Sequence, residues 1–330
     1  MNTAAESEAL VSVIVLVHNA APTVERALDS IAAQTLVKGI ELVVVDDGST
    51  DTSLTVVEQW IQAHPHRFTQ ATIVSHHCRR GVAAATTTGL KQATGRYVVR
   101  CDADDAMMPR ALEAMAGEAL RGEVDVVWGH TLVDDGCRRR LVKSEPRWAD
   151  LNDAPVTTAV FALWNKLIRR SLIVDNALYP FEGADCWEDL GMVARVLALR
   201  PRVAMVDEPV YVYHDDPRRA TLSRSRREVL LRDHLHIALM LEQWFVTHGL
   251  DSAYEMWLCR VKLCAKVKYL RGRGKDVARW KATFPEVNDK ILGISQVGFH
   301  YRLLFASVWM LPTALTQRVA DVIEWLGARE

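Results

Sequence analysis

The first 130 residues alternate between runs with buried-strand character and segments with helical spacing, and that alternation limits what the chain can become. Val11 to Val17 is a continuous apolar, β-branched run, the pattern of a strand covered on both faces. Pro22 then opens a segment with Val24, Ala27, Leu28 and Ile31 at helical spacing. Ile40 to Val45 repeats the strand pattern and ends in Asp46-Asp47-Gly48-Ser49, ahead of a helical pattern through Val56, Val57 and Trp60. Ala71 to Val74 predicts a third strand, Gly81 to Ala93 a helix, and Tyr97 to Cys101 a fourth strand. The fourth strand runs into Asp102-Ala103-Asp104-Asp105; Pro109 starts the next helix, and Val124 to Trp128 reads as a further strand. Buried strands separated by helices imply βαβ units and a doubly wound α/β sheet, mixed but mainly parallel, with flanking helices.

Beyond residue 130 the elements are shorter. Asp189 to Leu199 predicts an amphipathic helix, with Met192, Val193, Val196 and Leu197 on one side. Val203 to Val206 and Val210 to Tyr213 read as two strands separated by a break at Pro209. From Glu228 onward only long helical periodicity remains. The 330 residues therefore divide into an α/β domain over 1–225, with halves 1–130 and 131–225, and a helical region over 226–330.

Several function classes fall away at once. Forty Lys and Arg stand against 41 Asp and Glu, without the basic excess of a general nucleic-acid binder, so no nucleic-acid partner is expected. The six scattered cysteines include no CxxC pair and read as reduced thiols of a cytoplasmic protein. Glu6 and Glu8 precede the first apolar run, where a signal peptide would carry basic residues. The stretch Leu303 to Leu311 is about half the ~20 residues of a membrane-spanning helix. The first strand leads into His18-Asn19-Ala20-Ala21-Pro22 in place of a GxGxxG turn, and no GxxxxGK[ST], HExxH or GxSxG occurs. His64, His66, His76 and His77 fall in polar connections and are expected at the surface.

Open parallel sheets bind ligands beyond the carboxyl ends of their strands. Two of those ends are acidic here: Asp46 and Asp47 after the second strand, and Asp102, Asp104 and Asp105 after the fourth. Carboxylates converging on one crevice repel one another unless a cation offsets them, and an all-oxygen cluster suits a hard cation completed by phosphate oxygens. A metal-bound diphosphate fits that description. Each cluster also has an ordinary reading: Asp-Gly-Ser is a common turn, Ser49 or Asp51 caps a following helix, and Asp-Ala-Asp-Asp makes a solvated loop.

Taken in order, these residues resemble the family 2 glycosyltransferases, nucleotide-sugar enzymes with the GT-A fold. Val11-Ser12-Val13-Ile14-Val15 with His18-Asn19 resembles the family's opening strand and turn, where His18 stands for the usual Tyr. Val43-Val44-Val45-Asp46-Asp47-Gly48-Ser49-Thr50-Asp51 matches its second-strand motif. Gly81, Gly89, Ala93, Gly95 and Tyr97 lead into Cys101-Asp102-Ala103-Asp104-Asp105, similar to its metal-binding DxD region. Trp164-Asn165-Lys166-Leu167, Phe181-Glu182-Gly183, Glu188-Asp189-Leu190 and Pro209 to His214 resemble the later motifs, so the likeness spans roughly residues 10–225. The family usually has Arg-Asn where this chain has Thr86-Thr87.

The resemblance implies roles. Asp47 would accept a hydrogen bond from the pyrimidine of a UDP-sugar donor, with His18 and Asn19 near the base and Asp46 supporting the loop. Asp102 and Asp104 would reach the ribose or the surroundings of the metal, and Asp105, with Asp104 and His214, would hold Mn²⁺ or Mg²⁺. Asp189 would be the general base; Glu188, Trp187, Trp164 and Lys166 would lie on the acceptor side. Such an enzyme moves a hexose or N-acetylhexosamine to a hydroxyl of a glycan or lipid-linked acceptor with inversion, in cell-surface polysaccharide or glycoconjugate synthesis.

Two rival readings accompany this one. A nucleotide-sugar-binding subunit without turnover would not need both Asp105 and Asp189. A haloacid-dehalogenase-type phosphatase would use Asp102-Ala103-Asp104, but the Thr it wants two residues later is Ala106 here. From Glu255 to Lys281 nine Lys or Arg face two acids, and Trp257, Val261 and Cys264 line up opposite Lys262 and Lys266. With Trp280, Phe299, Tyr301, Phe305 and Trp309 downstream, residues 255–311 are expected to contact an anionic membrane surface peripherally from the cytoplasmic side. The alternative is an appendage that packs on the catalytic domain or on a second copy of the chain.

Overall fold

A computed structural model describes residues 9–215, 227–270, 275–294, 297–312, 316 and 319. They form two compact units, 1–149 with 157–220 and 150–156 with 221–330. The domain boundary expected at 225–226 lies outside the described residues, as do Glu6, Glu8, Arg271 and Arg273.

The first unit is built around β1 (Val11–Val17), which is paired on both edges and buried almost throughout. One neighbour is β2 (Ile40–Asp46), fully buried, beyond which lies β3 (Gln70–Ser75). The other is β4 (Tyr97–Asp102), and all these pairings are parallel. Helices cover both faces because the β1 side chains alternate. Val11, Val13 and Val15 join the core with α1 (Val24–Ala32), and α2 (Ser53–Ala63) adds Val57 and Trp60 to it. Ile14 faces α3 (Val82–Gln92), where Gly89 leaves room for its side chain.

After β4 the sheet turns mixed. A two-residue strand, β5 (Ala106–Met107), precedes α4 (Ala111–Arg121), which starts two residues past Pro109. Then come β6 (Val126–Asp134), β7 (Arg139–Val142), the short α5 (Thr158–Phe161), β8 (Lys166–Arg169) and α6 (Arg170–Asp175). The unit closes with α7 (Glu188–Ala198) and β9 (Val203–His214). The strand order is β3-β2-β1-β4-β8-β6-β9-β5, with β7 beside β6; β8 runs antiparallel to β4 and β6, whereas β9 is parallel to β6.

The two strands expected around Pro209 are one strand. Its register against β6 shifts between Trp128 and Thr131, opposite Met205 to Tyr211, so Pro209 sits at an irregularity where its missing N–H breaks no regular ladder.

The second unit contains α8 (Arg227–Thr247), α9 (Glu255–Lys266), α10 (Val277–Ala282) and α11 (Phe299–Met310). The segment 150–156 belongs to it because the Arg260 guanidinium donates to the carbonyls of Ala154 and Asn152. The expected basic face of α9 is corrected. Lys262 and Lys266 are buried: Lys262 pairs with Glu242 and Glu286, and Lys266 donates to the carbonyls of Thr283 and Phe284 and to Asn288 Oδ1. Trp257 and Trp280 are buried as well, with the Lys266 ammonium 4.4 Å from the Trp280 ring centre. Among the described residues no helix is long and apolar enough to cross a membrane.

Lys266→Ala should leave these acceptors unpaired around a cavity and cost about 2–4 kcal/mol in urea unfolding monitored through the buried tryptophans. A loss below about 1 kcal/mol would show that the ammonium is not what holds this region together.

Candidate active site

Strand register brings the sequence-distant acids together. Asp46 pairs with Val17 on one edge of β1 and Asp102 with Leu16 on the other, so both acidic turns flank the point where β1 ends. The residues that follow β1 fasten its end to the first of these turns. Asn19 Oδ1 accepts from the amides of Thr50 and Asp51, and its own amide donates to Ser49 Oγ. The His18 ring nitrogen Nδ1 lies 2.8 Å from the Asp47 carbonyl oxygen, and Asp46 Oδ1 accepts from the Ser49 amide. Asp46 and Asp47 are buried while His18 and Asn19 are exposed.

Asp47 is a hub. Its Oδ1 accepts from the Arg80 amide and meets His76 Nδ1 at 2.8 Å, and its Oδ2 accepts from the Gly81 amide. His76 Nε2 lies 3.0 Å from Thr88 Oγ1, so the ring links β3 to α3. The expectation of His76 as a surface residue is therefore corrected: its side chain is only 6% exposed. The same turn is held from the other side by Asp185, whose Oδ1 accepts from the Val82 amide. Gly81 has φ +94°, and a Cβ there would lie 2.1 Å from Asp185 Oδ1.

The second acidic turn is organised by β9. The antiparallel pairing of Met107 with Tyr211 brings that tyrosine's hydroxyl into the loop, where it accepts from the Asp102 amide and donates to Asp105 Oδ2. Asp105 Oδ1 accepts from the His214 amide. Burial pushes the Asp105 carboxyl up to about 6; hydrogen bonding from His214 opposes the shift, and Asp102 and Asp104 add to it. Asp104 is half-buried, its carbonyl taking a hydrogen bond from Arg26.

Trp164 stacks beneath Tyr211, with ring centres 4.7 Å apart, and is buried. It supports the acidic loop from within the core, which corrects the expectation of acceptor contact. Lys166 is corrected likewise: fully buried, it donates to the Ala162 carbonyl and Asn165 Oδ1, and burial lowers its pKa to about 7.

The start of α7 completes the arrangement. Trp187, half-buried, precedes the helix in a left-handed conformation, φ +69°, unusual for a bulky residue. Glu188 is buried and ion-paired to Arg100, 2.9 Å from its Nη1. Burial and Asp189 push Glu188 up to about 8 against the pull of Arg100. Burial also raises Asp189, against the opposing effects of Arg100 and Lys166.

The second acidic turn offers donors to a divalent cation. His214 Nδ1 is buried without a hydrogen bond and lies 3.8 Å from Asp105 Oδ1, a pair of atoms with capacity for a shared ion. Among the described residues no three His, Cys, Asp or Glu side chains gather closely enough to form a complete site. Such a pair fits a cation that takes its remaining ligands from phosphate and water.

Comparison with known proteins agrees with this architecture. Residues 12–177 match the model of Glycosyl transferase family 2, so the chain belongs to that family and is a glycosyltransferase of GT-A fold. It is 27% identical over 269 residues to the glycosyltransferase EpsJ of Bacillus subtilis, covering 77% of this chain and 76% of EpsJ. Two further relatives at 26% identity are spanned over only 60% and 62% of their length. Among solved structures, S. aureus TarS in complex with UDP-GlcNAc superposes with a TM-score of 0.60 at 19% identity, over 97% of this chain and 92% of that one. A mannosyltransferase from Pyrobaculum calidifontis in complex with GDP-Man and Mn²⁺ gives 0.53 at 21% identity, over 98% and 88%.

Gly81→Ala should destabilise the unit by about 1–3 kcal/mol in thermal unfolding, through backbone strain and the collision with Asp185. Removing the collision in Gly81→Ala/Asp185→Ala should recover part of that loss; a double variant no more stable than the sum of the single losses would place the strain elsewhere.

Proposed function

We propose that the protein transfers a hexose or N-acetylhexosamine from a UDP-sugar to a hydroxyl of a glycan or lipid-linked acceptor, with inversion, in surface polysaccharide or glycoconjugate synthesis. The observation that carries the reading is the Arg100 bridge, which joins Asp102 of the strand-end acids to Glu188, the neighbour of Asp189. A donor site and a candidate base thus belong to one electrostatic cluster.

In this reading Asp47, with His18 and Asn19 beside it, receives the nucleobase, and Asp46 shapes the turn. Asp102 and Asp104 face the ribose and diphosphate. Asp105 and His214, with Asp104 nearby, hold Mn²⁺ or Mg²⁺, which when bound offsets the charge gathering on the departing diphosphate. Asp189 takes the proton of the acceptor hydroxyl as its oxygen bonds to the anomeric carbon. The bond from that carbon to the diphosphate oxygen breaks in the same displacement, on the opposite face, so the centre inverts. Trp187 offers an aromatic surface beside the base for an acceptor sugar. The TarS complex with UDP-GlcNAc supports the choice of uridine nucleotide, and the Mn²⁺ complex of the mannosyltransferase supports a divalent ion.

Calorimetric titration of UDP with and without Mn²⁺ tests the donor site. Wild type should bind UDP more tightly with the ion, and Asp105→Ala should lose roughly tenfold or more of that gain. Failure of UDP to bind in either condition would reject a uridine donor. Since burial pushes the Asp105 carboxyl up to about 6 and it must be ionised to hold a cation, the gain should persist above that pH and fade below it. Asp189→Asn should cut turnover by about 10²–10⁴ while UDP affinity stays within about twofold. Unchanged turnover would remove Asp189 from the base position.

A further inference from the structure

One charge, Arg100, lies in the buried part of strand β4. Arg100 is 7% exposed and has apolar neighbours at Val98 and Val99, a placement that an arginine adopts almost only when paired. Its partners are Asp102, two residues on, and Glu188, 88 residues away. On one edge Nε lies 3.0 Å from Asp102 Oδ1 and Nη2 3.4 Å from Oδ2; on another, Nη1 donates to Glu188 Oε1 at 2.9 Å. The guanidinium thus spans from the last residue of β4 to the first residue of α7.

The charges that act on Asp189 are Glu188 from its own helix, Arg100 and Asp102 from β4, and Lys166 from β8. Asp102, Glu188 and Asp189 are three acids around one guanidinium, and Arg100 bonds the first two of them. Lys166 spends its hydrogen bonds on neutral acceptors, Ala162 and Asn165. A lysine at position 100 could supply charge but not a planar fork able to grip two carboxylates at once.

We infer that Arg100 is a positioning residue for the transfer step: by gripping Asp102 and Glu188 together it fixes the first turn of α7, and with it Asp189, against the end of β4. The inference rests on Asp189 being the base. A side chain that only filled space would influence stability and leave the charge state of Asp189 untouched. The buried ion pair is costly to desolvate, and its retention follows if the geometry it imposes serves the reaction.

The test is a carboxyl ¹³C NMR titration of the full chain labelled at Asp, with the Asp189 signal assigned by its loss in Asp189→Asn. In Arg100→Met the Asp189 midpoint should rise by one pH unit or more, a tenfold or greater gain in proton affinity, because the opposing positive charge is gone. Arg100→Lys, which keeps the charge and is less disruptive to folding, should shift it by less. With UDP-GlcNAc and Mn²⁺, the acid limb of kcat for donor hydrolysis should move to higher pH by the same amount in each variant. An Asp189 midpoint unchanged from wild type in both folded variants would overturn the inference. Asp189→Asn with wild-type hydrolysis would instead overturn the base assignment beneath it, so the two failures are distinct.

Discussion

Two acidic turns can share one crevice here because β1 is apolar on both faces and paired on both edges. A one-residue slip against either neighbour would turn Val13 or Val15 away from the α1 face and expel Ile14 from its seat against α3. The hydrophobic pattern therefore fixes the register. The register in turn fixes Asp46 and Asp102 at either side of the end of β1. Burial of valines thus determines where carboxylates stand.

Gathering acids has an electrostatic cost, and the fold meets it with directed donors before any ligand arrives. Asp47 is held by backbone amides and by His76, Asp105 by the Tyr211 hydroxyl and the His214 amide, and Asp102 and Glu188 by Arg100. The compensation is uneven. Asp105 and Glu188 still rest well above ordinary carboxylate values. Residual frustration of this kind is what a cation or a proton in transit can relieve.

Much of this was legible in the sequence. The strand–helix alternation through residue 130 has strong periodicity, and the acidic turns announce themselves by falling at strand ends. The rest is tertiary. Nothing local distinguishes His76 from His77, yet one is enclosed by Asp47 and Thr88 and the other is exposed. Trp164 and Lys166 carry the residue types of a sugar-binding surface but fall on the core side of the sheet. The basic run of α9 looked solvent-facing because Glu242 and Glu286, which pair with Lys262, lie 20 and 24 residues away in sequence. Arg100 was passed over, although a charge inside an apolar strand is a signal in itself; its partner Glu188, 88 residues away, required three dimensions.

The short segment 150–156 belongs with the C-terminal helices, although it is spelled out in the middle of the first unit. Arg260 reaches back to its carbonyls, and Asn152 donates to the Ala253 carbonyl. The helical unit is thus inherited in two pieces of the gene. A single recombination past residue 220 would import helices matched to another protein's segment and leave this one's behind. Exchange of that unit as a whole would have to replace both pieces together.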